Sequence, residues 1–220
     1  MPVSFLTPDQ IKSYGRYDGD PSPEDLTRYF HLDDHDRALI GRRREKYNRL
    51  GFAIQLATVR YLGTFLDNPV DVPPVVIATL ARQLGYDAAY DLTRYGDGRQ
   101  RLEHTAEIQS RLGYRELTDM PVGFRLGRWL YALCWTGTDR PSVLFDRAIA
   151  WLLSNRALLP GATVLERFIA SLRQRVEKRL WHSLAQHLNL TQRSNLEKLL
   201  TVPQGGAAHR STSCAPGPQW

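Results

Sequence analysis

Apolar residues recur at three- and four-residue intervals along most of the chain. No stretch alternates in twos over β-branched residues, so the pattern predicts an all-α, multi-helix bundle. Pro23 to Phe30 starts a short helix, with Ser22 as N-cap and Pro23 at the first helical position. Asp33 caps a second, in which Asp34 and Asp36 favour the positive helix end and Leu39 and Ile40 turn inward. From Asn48 to Leu66 the chain is apolar nearly all round, as suits a helix in the middle of a bundle. Asn68-Pro69 and Pro73-Pro74 break it.

Further helices are expected at Val75–Leu84, stopped by Gly85, and at Ala88–Tyr95. These two, with small Ala81 at the crossing and Gly85 in the turn, have the cadence of a helix-turn-helix, one that many αα-hairpins share. Arg99 to Leu112 reads as amphipathic, with Leu102, Ala106 and Leu112 towards one side and Arg101, His104 and Arg111 along another; Gly113 ends it. Gly123–Trp135 and Pro141–Leu153 follow. Thr163 and Glu166 form a capping-box pattern opening a helix to about Leu188, with Leu165, Phe168, Ile169, Leu172 and Val176 as its core stripe. Gln192–Leu200 closes the ordered part. The breaks give four segments: helical subdomains at 1–68 and 73–138, a helical hairpin region at 141–202, and a small-residue-rich tail at 203–220 expected to be disordered.

Composition changes this picture little. The chain has 220 residues, enough for a real core, and is 42% hydrophobic and 24% charged. No apolar run approaches a membrane span and no secretion signal opens the chain, so the cytoplasm is expected, with no membrane partner. Two cysteines cannot build a disulfide framework; Cys134 reads as a small buried side chain, and Cys214 lies in the tail.

The net charge of +6, carried mostly by arginine, raises the prospect of a polyanionic partner. Arg42, Arg43, Arg44 and Lys46, with Arg49, form the densest basic run. They suit phosphate contacts, yet cations at a helix C-terminus also satisfy the macrodipole, the plainer reading from residues alone. Arg167, Ser171, Gln174 and Lys178 form an outward stripe, either a groove-facing surface in which Gln174 reads a base edge or an ordinary wet face. Arg101, His104 and Arg111 carry the same two readings. Arg94 lies on the second helix of the helix-turn-helix pattern, where DNA contacts fall, although Tyr90, Leu92 and Tyr95 beside it read as core. His31 and His35 straddle a helix start without a third ligand nearby, so capping explains the aspartates around them better than a metal does. Trp129, Trp135, Trp151 and Trp181 read as core, and no motif for catalysis, a metal or a cofactor is present.

Several segments, in their order and spacing, resemble the amino terminus of the Tn-three family of replicative transposases. They are Phe5-Leu6-Thr7-Pro8, Gly19-Asp20-Pro21-Ser22, Tyr29-Phe30-His31-Leu32, Asn48 to Ala53, Gln55-Leu56 through Arg60 to Phe65, and Leu159-Pro160-Gly161. The resemblance covers residues 1 to about 206. It implies helical, helix-turn-helix-like DNA-binding subdomains that recognise the terminal inverted repeats of a transposon. It also implies a non-catalytic piece, truncated before the Asp-Asp-Glu catalytic domain, with no catalytic residue to carry over. The partners it implies are double-stranded DNA and, since such transposases act as dimers, a second copy or a full-length transposase. With the resemblance, the Arg42–Lys46 run reads as DNA-binding. The competing expectation is a helical interaction or dimerisation module with no specific DNA binding.

Overall fold

Residues 5–87, 92–96 and 99–200 are described by the computed structural model. They form eleven helices: α1 (Pro8–Ser13), α2 (Pro23–Tyr29), α3 (Asp34–Gly41), α4 (Lys46–Leu62), α5 (Pro74–Gln83), α6 (Thr93–Gly96), α7 (Gln100–Leu112), α8 (Met120–Thr136), α9 (Pro141–Ser154), α10 (Ala162–His187) and α11 (Leu190–Leu200). Among the described residues there is no strand, only an isolated bridge between Arg115 and Ala157. The fold is all-α, as the periodicity predicts. The second half of the helix-turn-helix pattern falls partly on residues 88–91, and the expected tail and Cys214 fall on 203–220; all lie outside the described residues. The chain divides into two compact units, residues 1–177 and 178–220.

The first unit is built around two cores. In one, α4 is the axis: Leu50, Phe52, Ala53, Ile54, Leu56, Ala57 and Val59 are all buried, and α2, α3, α5, α6 and α7 pack around it. This core draws on residues from Phe30 to Ile108, so the double-proline break after Asn68 is a bend inside one core. The second core joins Val122, Leu126 and Leu130 of α8, Leu144, Ala148 and Leu152 of α9, and Leu165, Ile169, Leu172 and Val176 of α10. Hydrogen bonds join the two: Leu159 N–H donates to the Gly63 carbonyl at 2.9 Å, and Leu158 N–H to the Arg115 carbonyl at 2.8 Å. Gly63 closes α4 with φ 73°, the left-handed conformation that calls for glycine; a β-carbon there would also meet Leu153 Cδ2 at 2.1 Å, a contact the exposed leucine could relieve by turning aside.

Local chemistry explains the starts and stops. Ser22 and Asp33 cap α2 and α3 as expected, and Asp33 and Asp36 form a reciprocal capping box. Helix α1 is an element the apolar pattern does not show; its signal is Thr7-Pro8-Asp9-Gln10, a full capping box with proline at N1. Three expectations need correction. Glu166 is no capping group: its buried carboxylate accepts the backbone N–H groups of Phe5 and Leu6, both at 3.1 Å. In α7 the buried face carries His104 and Ile108, while Leu102 is 64% exposed. Trp135 and Trp181 are exposed, whereas Trp129 and Trp151 stack half-buried, centroids 6.4 Å apart.

In the second unit, residues 178–187 complete α10 and α11 follows; Asn189 and the Gln192 side chain cap α11 reciprocally at 2.8 and 3.0 Å. Among the described residues, no helix is long and apolar enough to cross a membrane.

Candidate nucleic-acid interface

The basic run lies at the corner between α3 and α4, and the fold divides it into structural and surface residues. Arg43 turns inward. Its guanidinium lies 3.7 Å over the Phe52 ring, donates to the Leu39 carbonyl at 2.6 Å and pairs with Glu107 of α7. Burial pushes its pKa down, and Glu107 pulls it part of the way back. The reading of this arginine as a phosphate ligand gives way to a reading as the bolt between α3, α4 and α7. Arg49 is half-buried and donates from Nε to the Arg43 carbonyl at 2.6 Å, bracing the same corner.

Arg42, Arg44 and Lys46 are exposed on that corner. Arg42 is the C-cap of α3, the position that the macrodipole argument favours. Lys46 occupies the first turn of α4, where a cation is disfavoured. The α4 N-cap, Glu45, makes no side-chain cap hydrogen bond, and the first turn holds no acid. The first turns of α2 and α3 instead carry Glu24 and Asp25, and Asp34 and Asp36. Two tyrosines join the corner: Lys46 Nζ lies 5.8 Å from the Tyr86 ring, and the exposed Arg94 guanidinium lies 5.8 Å from the Tyr47 ring. The fold therefore brings Arg94 to the Arg44–Lys46 corner, half a domain away in sequence. Leu92 and Tyr95 on either side of it are buried.

The other candidates lie elsewhere. Arg101 is half-buried and donates to the Asp67 carbonyl at 2.6 Å, tying α7 to the loop after α4. Arg111 is exposed and bridges to Glu107 at 2.8 Å, so Glu107 serves two arginines. His104 is a core residue. Gln55 Nε2 donates to the Tyr95 hydroxyl at 2.9 Å, which is hydrogen-bonded in turn to His104 Nδ1 at 2.9 Å. Burial and the nearby Arg43 push its pKa down to about 4. Arg167 and Gln174 are exposed on the outward side of α10, with Ser171 half-buried and bonded to the Phe168 carbonyl. Lys178 is exposed where the second unit begins. His31 and His35 are both exposed, and among the described residues no three His, Cys, Asp or Glu side chains are placed to hold a metal.

Residues 5–172 match the family described as Domain of unknown function (DUF4158). The chain belongs to the DUF4158 family. It is 48% identical over 206 residues to the transposase for transposon gamma-delta of Escherichia coli (strain K12), which covers 93% of this chain and 21% of that relative. It is 34% identical over 189 residues to the transposase for transposon Tn501 of Pseudomonas aeruginosa, covering 84% and 19%. The transposase for transposon Tn1546 of Enterococcus faecium is 30% identical over 201 residues, covering 90% and 20%. The resemblance to Tn-three transposases read from the sequence therefore holds. This DUF4158 chain spans about a fifth of the length of the curated relatives it matches.

Proposed function

We propose that this chain is a DNA-recognition module of transposition, which binds the terminal inverted repeats of a transposon and cuts nothing itself. The observation that carries the reading is the inverted charge at the start of α4. Lys46, with Arg44 before it and Arg94 beside it, puts cations where the helix already presents positive N–H groups. Such an arrangement costs the isolated protein stability and is offset by an anion such as a backbone phosphate. Arg42, Arg44, Lys46 and Arg94 are assigned to phosphates or base edges on this corner. Arg111, Arg167 and Gln174 are assigned to further DNA contacts of the first unit, and Lys178, separately, to a contact of the second. Arg43, Arg49 and Arg101 support the fold.

The test is binding to a labelled duplex carrying a terminal inverted repeat, beside a scrambled duplex, over a salt series. Preference for the repeat by about a thousandfold, with affinity falling steeply as salt rises, is the expected result. Replacing Arg44 and Lys46 by alanine should weaken binding to both duplexes and lower the salt slope by about one for each phosphate no longer neutralised. Equal weak binding to the two duplexes would overturn the reading and favour an interaction module. Metal-dependent strand cleavage by the purified chain would overturn its non-catalytic part. Co-expressed with a full-length relative, the chain is expected to lower transposition by occupying ends without cutting.

A further inference from the structure

Helix α6 is a single turn of four residues, too short to hold its shape alone, so packing sets its place. Leu92 and Tyr95, which flank Arg94, supply that packing: they are 6% and 1% exposed. Tyr95 is the deeper anchor and is held from three directions. Its ring lies against the backbone of α4 at Gly51, where a β-carbon would come within 2.4 Å of three ring carbons. Its hydroxyl accepts from Gln55 of α4 at 2.9 Å and is hydrogen-bonded to His104 of α7 at 2.9 Å. Its ring also stacks on the His104 imidazole, 5.6 Å between centroids and 26° between planes. One side chain thus locks α6 to both α4 and α7.

Arg94 comes one residue before this lock and is exposed. Its guanidinium lies 5.8 Å from the ring of Tyr47, in the first turn of α4. Among the described residues it forms no ion pair with a carboxylate. The first turn of α4 has no side-chain cap and no acid, so its N–H groups and the Arg94 guanidinium share a need for an anion. A phosphate meets both, since a guanidinium fork takes two of its oxygens; a base edge meets only the arginine. We propose that Tyr95 is the positioning residue for Arg94: seated in the Gly51 notch, it holds the guanidinium where that arginine and the start of α4 take one DNA phosphate. The inference rests on the DNA reading of this corner and goes further in two ways. It assigns Arg94 to a phosphate, and it gives a part in phosphate binding to a buried side chain that DNA does not touch.

The notch offers two independent ways of moving Arg94. Tyr95→Leu removes the ring, and Gly51→Ala pushes it out while leaving Tyr95 unchanged. Neither alters the net charge. Tyr95→Phe keeps the ring in the notch and loses only the hydroxyl, and Gln55 Nε2 then retains its bond to the Arg101 carbonyl at 3.1 Å.

Binding of the full chain to the repeat and scrambled duplexes over a salt series, below the melting temperature of every variant, tests the proposal. Arg94→Ala should lower the slope of log affinity against log salt by about one. Tyr95→Leu and Gly51→Ala should each lower it by the same amount, although no charge is lost. Combined with Arg94→Ala, neither should lower it further, because the same contact has already gone. Tyr95→Phe should restore the parent slope. A purely structural role for Tyr95 would reduce affinity at every salt concentration and leave the slope unchanged. That result would overturn the proposal, as would losses that add in the double variants or an Arg94→Ala slope equal to the parent's. Should Tyr95→Leu not fold, Gly51→Ala and its double variant decide by the same criterion. The slope is read on the scrambled duplex too, so a lack of preference for the repeat would overturn the recognition reading alone. Binding to neither duplex would overturn both.

Discussion

At the scale of single residues, neighbouring arginines have unlike roles. Arg43 is held by Glu107, the Leu39 carbonyl and the Phe52 ring, whereas Arg42 and Arg44 on either side are exposed. Arg43→Ala removes a buried cation from its partner, and a loss of about 2–4 kcal/mol is expected. Arg44→Ala should stay within about 0.5 kcal/mol of the parent. Denaturant unfolding of the two variants checks this contrast. His104 makes a second residue-scale prediction. Its folded pKa, about 4, lies below the ordinary 6.5, so the fold favours the neutral ring. The stability this gives is present above about pH 6.5 and is lost as pH falls towards about 4, because the unfolded chain takes up the proton first. Melting temperature against pH should fall through that window, and His104→Gln should flatten part of the slope. The sequence could not separate Arg43 from its neighbours, since three consecutive arginines look alike until the turn after α3 aims one at Phe52. His104 was similarly hidden: its partners Gln55 and Tyr95 are polar, so the buried face of α7 reads as a wet one.

At the scale of elements, α4 explains most of the first core. A segment apolar nearly all round announces its central place, which is why its position was legible when its ends were two to four residues off. What the pattern did not show was how closely its neighbours approach. A β-carbon on Gly51 would lie 2.4 Å from the Tyr95 ring, which is buried and hydrogen-bonded to Gln55. Gly51→Ala should therefore displace that ring and cost about 1–3 kcal/mol, although alanine is the better helix former. A melting curve and loss of protection in amide exchange along α7 would register it. A melting temperature equal to or above that of the parent would show that the Tyr95 ring yields freely.

At the scale of the whole first unit, the amino-terminal segment is bound into the later core. Leu6 is buried in it, Phe5 meets Phe145 edge-on at 6.2 Å, and Glu166 holds both backbone N–H groups. Glu166→Ala removes the carboxylate to which both N–H groups donate, and a loss of about 2–3 kcal/mol is expected from thermal or denaturant unfolding. Glu166→Gln keeps an acceptor oxygen and should recover part of it. The sequence placed Glu166 in the first turn of its helix, whereas α10 starts at Ala162 and Glu166 lies just past that turn; it also assigned Glu166 a local partner, because a capping box is written in four consecutive residues and a clasp across the chain is not.

That clasp joins residues 160 and 161 positions apart. During synthesis the chain emerges from its amino terminus, and at roughly 5–20 residues per second Phe5 and Leu6 wait on the order of ten seconds before Glu166 exists. The residues of the first core, Phe30 to Ile108, are complete well before then. The order of assembly is thus written into the topology: Phe5 and Leu6 leave the ribosome ahead of the rest of both cores and are among the last to find their place.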